Sequence, residues 1–155
     1  CVDDSTLQSL GKWLIKQPNL RKLTVKIEQD YKSISKKTDR GLMELAKGLY
    51  SLNNLKKLYL GMTRLDDITD QGLLLIAKSL KGLHKLESLK LEIQHCSKMT
   101  EEAINNFKKG ISFLKRLKHL FVFFGITWDI QARTILEEGL RASFIQQEPD
   151  TLDLF

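Results

Sequence analysis

Apolar positions along this chain follow two rhythms that take turns. Leu42, Leu45, Leu49 and Leu52 recur at three- and four-residue steps, which places them on one face of a helix. A few residues on, "LKKLYL" (55–60) ends in strict alternation, so Leu58 and Leu60 point one way and Tyr59 the other, as a short strand requires. The same succession then returns. "TDRGLMELAKGLYSLNNLKKLYL" (38–60) and "TDQGLLLIAKSLKGLHKLESLKL" (69–91) agree at 11 of 23 positions and start 31 residues apart. The signature L-x-x-L-x-[LV] occurs at Leu20/Leu23/Val25, Leu55/Leu58/Leu60, Leu86/Leu89/Leu91 and Leu117/Leu120/Val122, at spacings of 35, 31 and 31 residues. Leu152 and Leu154 in "DTLDLF" make a partial fifth copy. Periods of this length mark a repeat architecture.

Each unit carries its own stop and start signals. Thr38, Thr69 and Thr100 stand just before the helical stretches, where a hydroxyl accepts an N–H left free in the first turn. Asp39, Asp70 and the pair Glu101/Glu102 follow, placing negative charge at the positive end of each helix dipole. Ala46 and Ala77 are small at matching positions, which predicts a close approach of helix to strand layer. "DDSTLQSLGKWLIKQPNL" fits the template at the N-terminal side, with Leu7, Leu10 and Leu14 in the helical positions. "DIQARTILEEGLRASF" reads as a helix with a weaker match. The predicted order is therefore helix–strand repeated, one domain over residues 1–155 with about four and a half units. A single unit leaves both its apolar surfaces uncovered; stacked units share a parallel sheet, a helical layer and one core between them. Parallel strands joined by crossovers predict a right-handed path.

Residues between the strand leucines face away from that core and form three rows across the sheet. One row is Lys22, Lys57, Ser88, His119. The next is Thr24, Tyr59, Lys90, Phe121, Asp153, and the last is Lys26, Gly61, Glu92, Phe123. This face is basic towards the first strand and aromatic towards the fourth. Phe121 and Phe123 are expected to face solvent, as binding anchors do, unless the tail around Phe144–Phe155 or a further repeat covers them. Lys22, Thr24, Lys26, Lys57, Tyr59, Ser88, Lys90, Glu92, His119, Phe121 and Phe123 are the candidate partner-binding residues.

Composition narrows the setting. Twenty-five Lys and Arg against 19 Asp and Glu leave a net charge of +6, so acidic partners come into consideration. The basic stretches are "KQPNLRKLTVK" (16–26), "KSISKKTDR" (32–40) and "LKRLKHL" (114–120). The second occupies a loop four residues longer than its counterparts, an insertion that suits a contact site. Lys22, Lys26 and Lys57 are placed to converge, whereas the other lysines are scattered over helices and turns; nucleic acid or another polyanion is thus the alternative partner, bound by the basic N-terminal half. Two cysteines, Cys1 and Cys96, make no disulfide framework and point to a reducing, cytoplasmic setting. No apolar run approaches the ~18 residues of a membrane span. "CVDDST" begins directly in a helix and "DTLDLF" ends in a strand, so the expectation is a fragment of a longer array, or a subunit whose neighbours in a large assembly cover its ends. A cooperative melt of the isolated chain well above ambient temperature would count against that.

The strand signature followed by "ITDQGLLLIAKSL" resembles the leucine-rich repeat family, and within it the ribonuclease-inhibitor-like subclass, over nearly the whole chain. That resemblance implies an α/β, right-handed leucine-rich repeat solenoid, a horseshoe segment with the parallel sheet on its concave side and helices on its convex side. It also implies a non-catalytic interaction or scaffolding module that binds another protein through the concave face. Family members include nuclease inhibitors, immune-receptor sensor domains, activators of the Ran GTPase, and actin-capping or axonemal proteins, so cytoskeletal or ciliary association enters as an implication. Two departures stand out. The units are slightly longer than is usual there, and Thr63 and Gln94 replace the Asn or Cys expected three residues after the last strand leucine, which implies an irregular ladder at that point. The asparagine through which Ran activators work has no counterpart at the strand ends.

Candidate chemistry is sparse. Asp66, Asp67 and Asp70 in "LDDITD" are spaced like a magnesium-binding D-D-x-x-D, but that chemistry needs one helical face inside an all-α cavity, and these fall in a loop entering a repeat helix. His95 and Cys96 are adjacent without further ligands at zinc spacing. His84 falls in a helix–strand turn and reads as surface. No nucleophile, base and orienting group converge, and no G-x-x-x-x-G-K-[ST] loop occurs. The reading is of a protein without catalytic residues, metal or cofactor.

Overall fold

The computed structural model describes residues 3–29 and 37–125, together with the backbone of 152–154. Helices and strands alternate through it: α1 (Asp4–Ile15), β1 (Lys22–Glu28), α2 (Asp39–Tyr50), β2 (Lys57–Thr63), α3 (Asp70–Ser79, continued by a 3-10 turn at Leu80–Gly82), β3 (Ser88–Gln94), α4 (Glu101–Ile111), β4 (His119–Gly125) and the short β5 (Leu152–Leu154). The helix expected in 129–144, the inserted loop at 30–36, Cys1 and the side chains of the tail lie outside the described residues.

All strands run parallel in the order β1–β2–β3–β4–β5, so neighbours in sequence are neighbours in space. Register follows the repeat: Leu23 opposes Leu58, Leu58 opposes Leu89, and Leu89 opposes Leu120. Phe121 opposes Asp153. Each helix packs on the next helix and each strand on the next strand. Between the two layers lies a single core built of the repeated positions. Leu42, Leu45, Leu49, Leu52, Leu55, Leu58 and Leu60 are buried, as are their counterparts Leu73, Ile76, Leu80, Leu83, Leu86, Leu89 and Leu91. Phe124 packs edge-on to Phe107 at 6.4 Å where β4 meets α4. The architecture is a parallel α/β sheet of repeated units. Among the described residues no helix is long and apolar enough to cross a membrane.

The three threonines cap their helices as their spacing predicts, each accepting from the amide two residues on: Arg40, Gln71 and Glu102. What the aspartates do is more specific than dipole compensation. The Asp4 carboxylate accepts from the amide and hydroxyl of Thr38 at 2.8 and 2.6 Å. Asp39 does the same to Thr69 at 2.9 and 2.6 Å, and Asp70 to Thr100. The starts of α2, α3 and α4 are therefore each clasped by the aspartate of the helix before. Gly41 and Gly72 follow from this: a Cβ there would lie 2.4 Å from Asp4 Oδ1 and 2.3 Å from Asp39 Oδ1. The motif T-D-x-G is one clasp written across two units.

Two expectations need correction. The residues that a close approach holds small are glycines where helices meet: a Cβ at Gly110 would fall 2.6 Å from the Ala77 carbonyl oxygen, and α1 and α2 meet in the same way at Gly11 and Gly48. The close approach is thus helix to helix, not helix to sheet. The ladder beyond the strands is also regular despite Thr63 and Gln94. Gln29 N–H donates to Thr63 O, Arg64 N–H to Gln94 O and His95 N–H to Gly125 O, at 3.2, 2.9 and 3.1 Å. Arg64 and His95 make their rungs from left-handed backbone (φ 57° and 52°). No side-chain amide is needed there.

Candidate functional site

The face of the sheet turned away from the helices carries the residues that the fold itself does not use. Parallel register places them in three rows as the alternation predicts: Lys22, Lys57, Ser88, His119; then Thr24, Tyr59, Lys90, Phe121; then Lys26, Gly61, Glu92, Phe123. Lys22, Thr24, Lys26, Lys57 and His119 are exposed, whereas Tyr59, Ser88, Lys90, Glu92, Phe121 and Phe123 are half-buried.

Four of the second group, Tyr59, Lys90, Glu92 and Phe121, touch one another along this face. Tyr59 Oη donates to Glu92 Oε2 at 2.5 Å, and Lys90 Nζ donates to Glu92 Oε1 at 2.8 Å. The Lys90 ammonium also lies 4.9 Å from the Tyr59 ring centroid and 4.8 Å from that of Phe121, so it sits between two aromatic faces. Lys26 covers Tyr59 from the other side at 5.3 Å. A Cβ at Gly61 would meet the Tyr59 ring at 3.5 Å and Lys26 Cγ at 3.7 Å, ordinary contact distances, so the cluster does not depend on the glycine. Reading the strands for charge and aromaticity alone passes over the bonds from Tyr59 and Lys90 to Glu92, which join neighbouring strands.

Electrostatics agree with the geometry. Glu92 is held below the usual carboxylate range, first by the bond from Lys90 and then by that from Tyr59. The Tyr59 phenol is pushed up to about 12, chiefly because it donates to Glu92 and would lose that bond on ionising. Phe121 is thus not the bare anchor that alternation suggests, since the Lys90 ammonium occupies one side of its ring. Lys22 and Lys57 stand side by side in the first row, while Lys26 leans off towards Tyr59. The site is a fixed polar–aromatic cluster beside an exposed basic corner. It can pair with carboxylates at that corner and stack or pack against flat groups at the aromatic end.

The remaining sequence candidates separate from it. Asp66 accepts from Ser97 Oγ at 3.0 Å, Asp67 pairs with Lys98 at 2.8 Å, and Asp70 clasps Thr100, so each of the D-D-x-x-D carboxylates is held by the following unit. Cys96 is buried, its thiol donating to Gln94 O and pushed up by desolvation, whereas His95 next to it is exposed. His84 is exposed, as its turn position predicts. Among the described residues no group of three His, Cys, Asp or Glu side chains is placed to hold a metal ion. Lys37, at the end of the inserted loop, is buried, and desolvation pulls its ammonium down against Asp3 and Asp4. The other residues of that loop's basic stretch up to Lys36 lie outside the described residues. Comparison with protein-family models and with curated proteins finds no match for this chain.

Proposed function

We propose that the chain is a leucine-rich repeat solenoid of the ribonuclease-inhibitor-like subclass, a single right-handed domain of about four and a half units. On this reading it works without catalysis, as an interaction or scaffolding module whose partner, another protein or a neighbouring subunit, lies on the open face of the sheet. The supporting observation is a contrast within each unit. Positions that face the core stay apolar from unit to unit, whereas the open face changes from Lys22/Thr24/Lys26 to His119/Phe121/Phe123 over four strands. The fold has no use for that gradient, and variable residues on a rigid repeated frame are how solenoids acquire specificity. The curvature that such a fold implies would make this face concave.

The rival is a polyanion, nucleic acid included, held at Lys22, Lys26 and Lys57; the exposure of that corner favours it. A pull-down from source-cell extract separates the two readings, run with the wild-type chain and a Phe121→Ser/Phe123→Ser variant, each with and without nuclease, over a salt series. A protein partner that survives nuclease, tolerates salt and disappears with the double variant is the expected result. Capture that disappears with nuclease, falls steeply with salt and ignores the phenylalanines overturns the proposal in favour of the basic corner.

A further inference from the structure

The helical layer carries a second surface that neither the repeat nor the open sheet face explains. Where α2 and α3 run side by side, an open trough of about 660 Å³ lies between them, with Ala46 and Ser79 along it and Met43, Tyr50 and Leu75 also lining it. A smaller trough of about 360 Å³ follows between α3 and α4, past Ala77 and Gly110 to Phe113. The small residues that let the helices approach are what leave these troughs shallow and continuous. Tyr50 and Phe113 are 56% and 46% exposed, too much for large apolar groups with a place in the core.

Charge on this surface has one sign. Lys47, Lys78 and Lys81 line the first trough, and Lys78, Lys81 and Lys109 the second. The nearby carboxylate of Glu44 is already held by Lys47 at 2.6 Å, and Asp39 and Asp70 are committed to their clasps at the far ends of the helices. Lys81 lies 4.4 Å over the Phe113 ring. Lysines near helix C-termini complement the dipole, which accounts for one per helix. It does not account for Met43, Tyr50 and Phe113 emerging among them.

We propose that this face docks an acidic amphipathic helix of a partner protein, its apolar ridge seated in the α2–α3 trough and its carboxylates against Lys78, Lys81 and Lys109. A trough between two helices takes the ridge of a third, as helix-in-groove recognition does. A planar anionic bilayer, by contrast, meets the lysines but leaves the recessed Ala46 and Ser79 uncovered. Because this surface is on the opposite side of the core from the sheet face, it stands whether or not the reading of that face does.

The test uses a fluorescent synthetic 16-residue peptide with Leu at helical i, i+3, i+4 and i+7 spacing and Glu elsewhere. A matched peptide with Lys for Glu and vesicles of mixed neutral and anionic phospholipid serve as the other probes. The expected result is saturable binding of the acidic peptide, roughly tenfold weaker for Lys78→Glu/Lys81→Glu and for Tyr50→Ser, and unchanged for Phe121→Ser/Phe123→Ser. Lys78→Gln/Lys81→Gln, with circular dichroism melts of every variant, keeps a folding defect from passing as lost binding. Equal binding of both peptides, no binding of either, or association with vesicles alone overturns the proposal.

Discussion

The helix starts and the open sheet face both border the core, yet they obey opposite rules. At the helix starts the same three-residue device returns unit after unit, Asp4 to Thr38, Asp39 to Thr69, Asp70 to Thr100. On the sheet face no row keeps one residue type across the four strands: the middle one reads Thr24, Tyr59, Lys90, Phe121. A repeat protein must satisfy the same buried groups in each unit, so what its fold requires is periodic. Departures from the period on an exposed face answer to something else. That contrast is what singles out the sheet face as the candidate site, and it is open to direct attack.

The largest effect is expected at the clasp. Asp39→Ala removes an acceptor of two charge-assisted hydrogen bonds and leaves the Thr69 amide to find water in a partly buried spot. A loss of about 2–3 kcal/mol is expected in urea unfolding. Asp70→Ala should cost about half as much, because its clasp is exposed. Equal losses, or none, would mean that the period reflects helix capping alone.

Next in size is the glycine beside it. Gly72→Ala improves helix propensity by about 1 kcal/mol, but its Cβ would lie 2.3 Å from Asp39 Oδ1. The expected net effect is a loss of about 1 kcal/mol in the wild-type chain. In an Asp39→Ala background part of that loss should vanish, the remainder coming from Ile68 Cγ2 at 2.9 Å from the same Cβ, and a double-mutant cycle of urea midpoints measures the difference. In α4 the same position holds Ala103 alongside an intact Asp70–Thr100 clasp, which caps how large the penalty can be.

How much of this was legible from residue order can be judged at those same places. The hydrophobic period places the strands and their register, because alternation in a parallel sheet fixes which side chains share a row. It also identifies Thr38, Thr69 and Thr100 as caps, a local matter. Asp39 is misread as a dipole partner only, since its true partner is 30 residues on and nothing in one unit announces it. Thr63 and Gln94 suggest a broken ladder because the side-chain pattern is blind to Arg64 and His95 making the rungs with their own backbone. Phe121 looks bare for a related reason: alternation gives a direction, not what lies over the ring. The Met43–Tyr50–Phe113 surface escapes notice because each residue is a lone apolar group on a polar helix face until the helices are set side by side.

The sheet-face cluster should announce itself by pH. Glu92 is held low by Lys90 and Tyr59, so its contribution is complete above the ordinary carboxylate range and is lost as pH falls through it towards the folded value. Tyr59 is shifted the other way. Its phenol favours the folded state below its ordinary value of 10.0 and that contribution drains away between there and about 12. Compared with wild type, Tyr59→Phe should therefore be less stable at neutral pH, by less than about 1 kcal/mol, and the gap should close above pH 10. Urea midpoints across pH, with phenolate absorbance to count late-titrating tyrosines, check both ends. A gap that widens in alkali would mean that the Tyr59–Glu92 bond is not formed.

The smallest effect carries the most weight for function. Lys22 and Lys57 are direct partners across β1 and β2, two like charges in one row, exposed to solvent. Like charges directly opposite each other oppose sheet formation by a few tenths of a kcal/mol, so the fold gains nothing from the pair. Lys22→Ala and Lys57→Ala should each leave stability within about 0.5 kcal/mol of wild type, with any change favourable at low salt. The same substitutions should weaken capture of an acidic partner if the basic corner belongs to the binding face. A stability loss above about 1 kcal/mol for either lysine would show that the sheet face is as much a part of the fold as the clasps are. The line between periodic structure and aperiodic function would then have to be drawn elsewhere in this molecule.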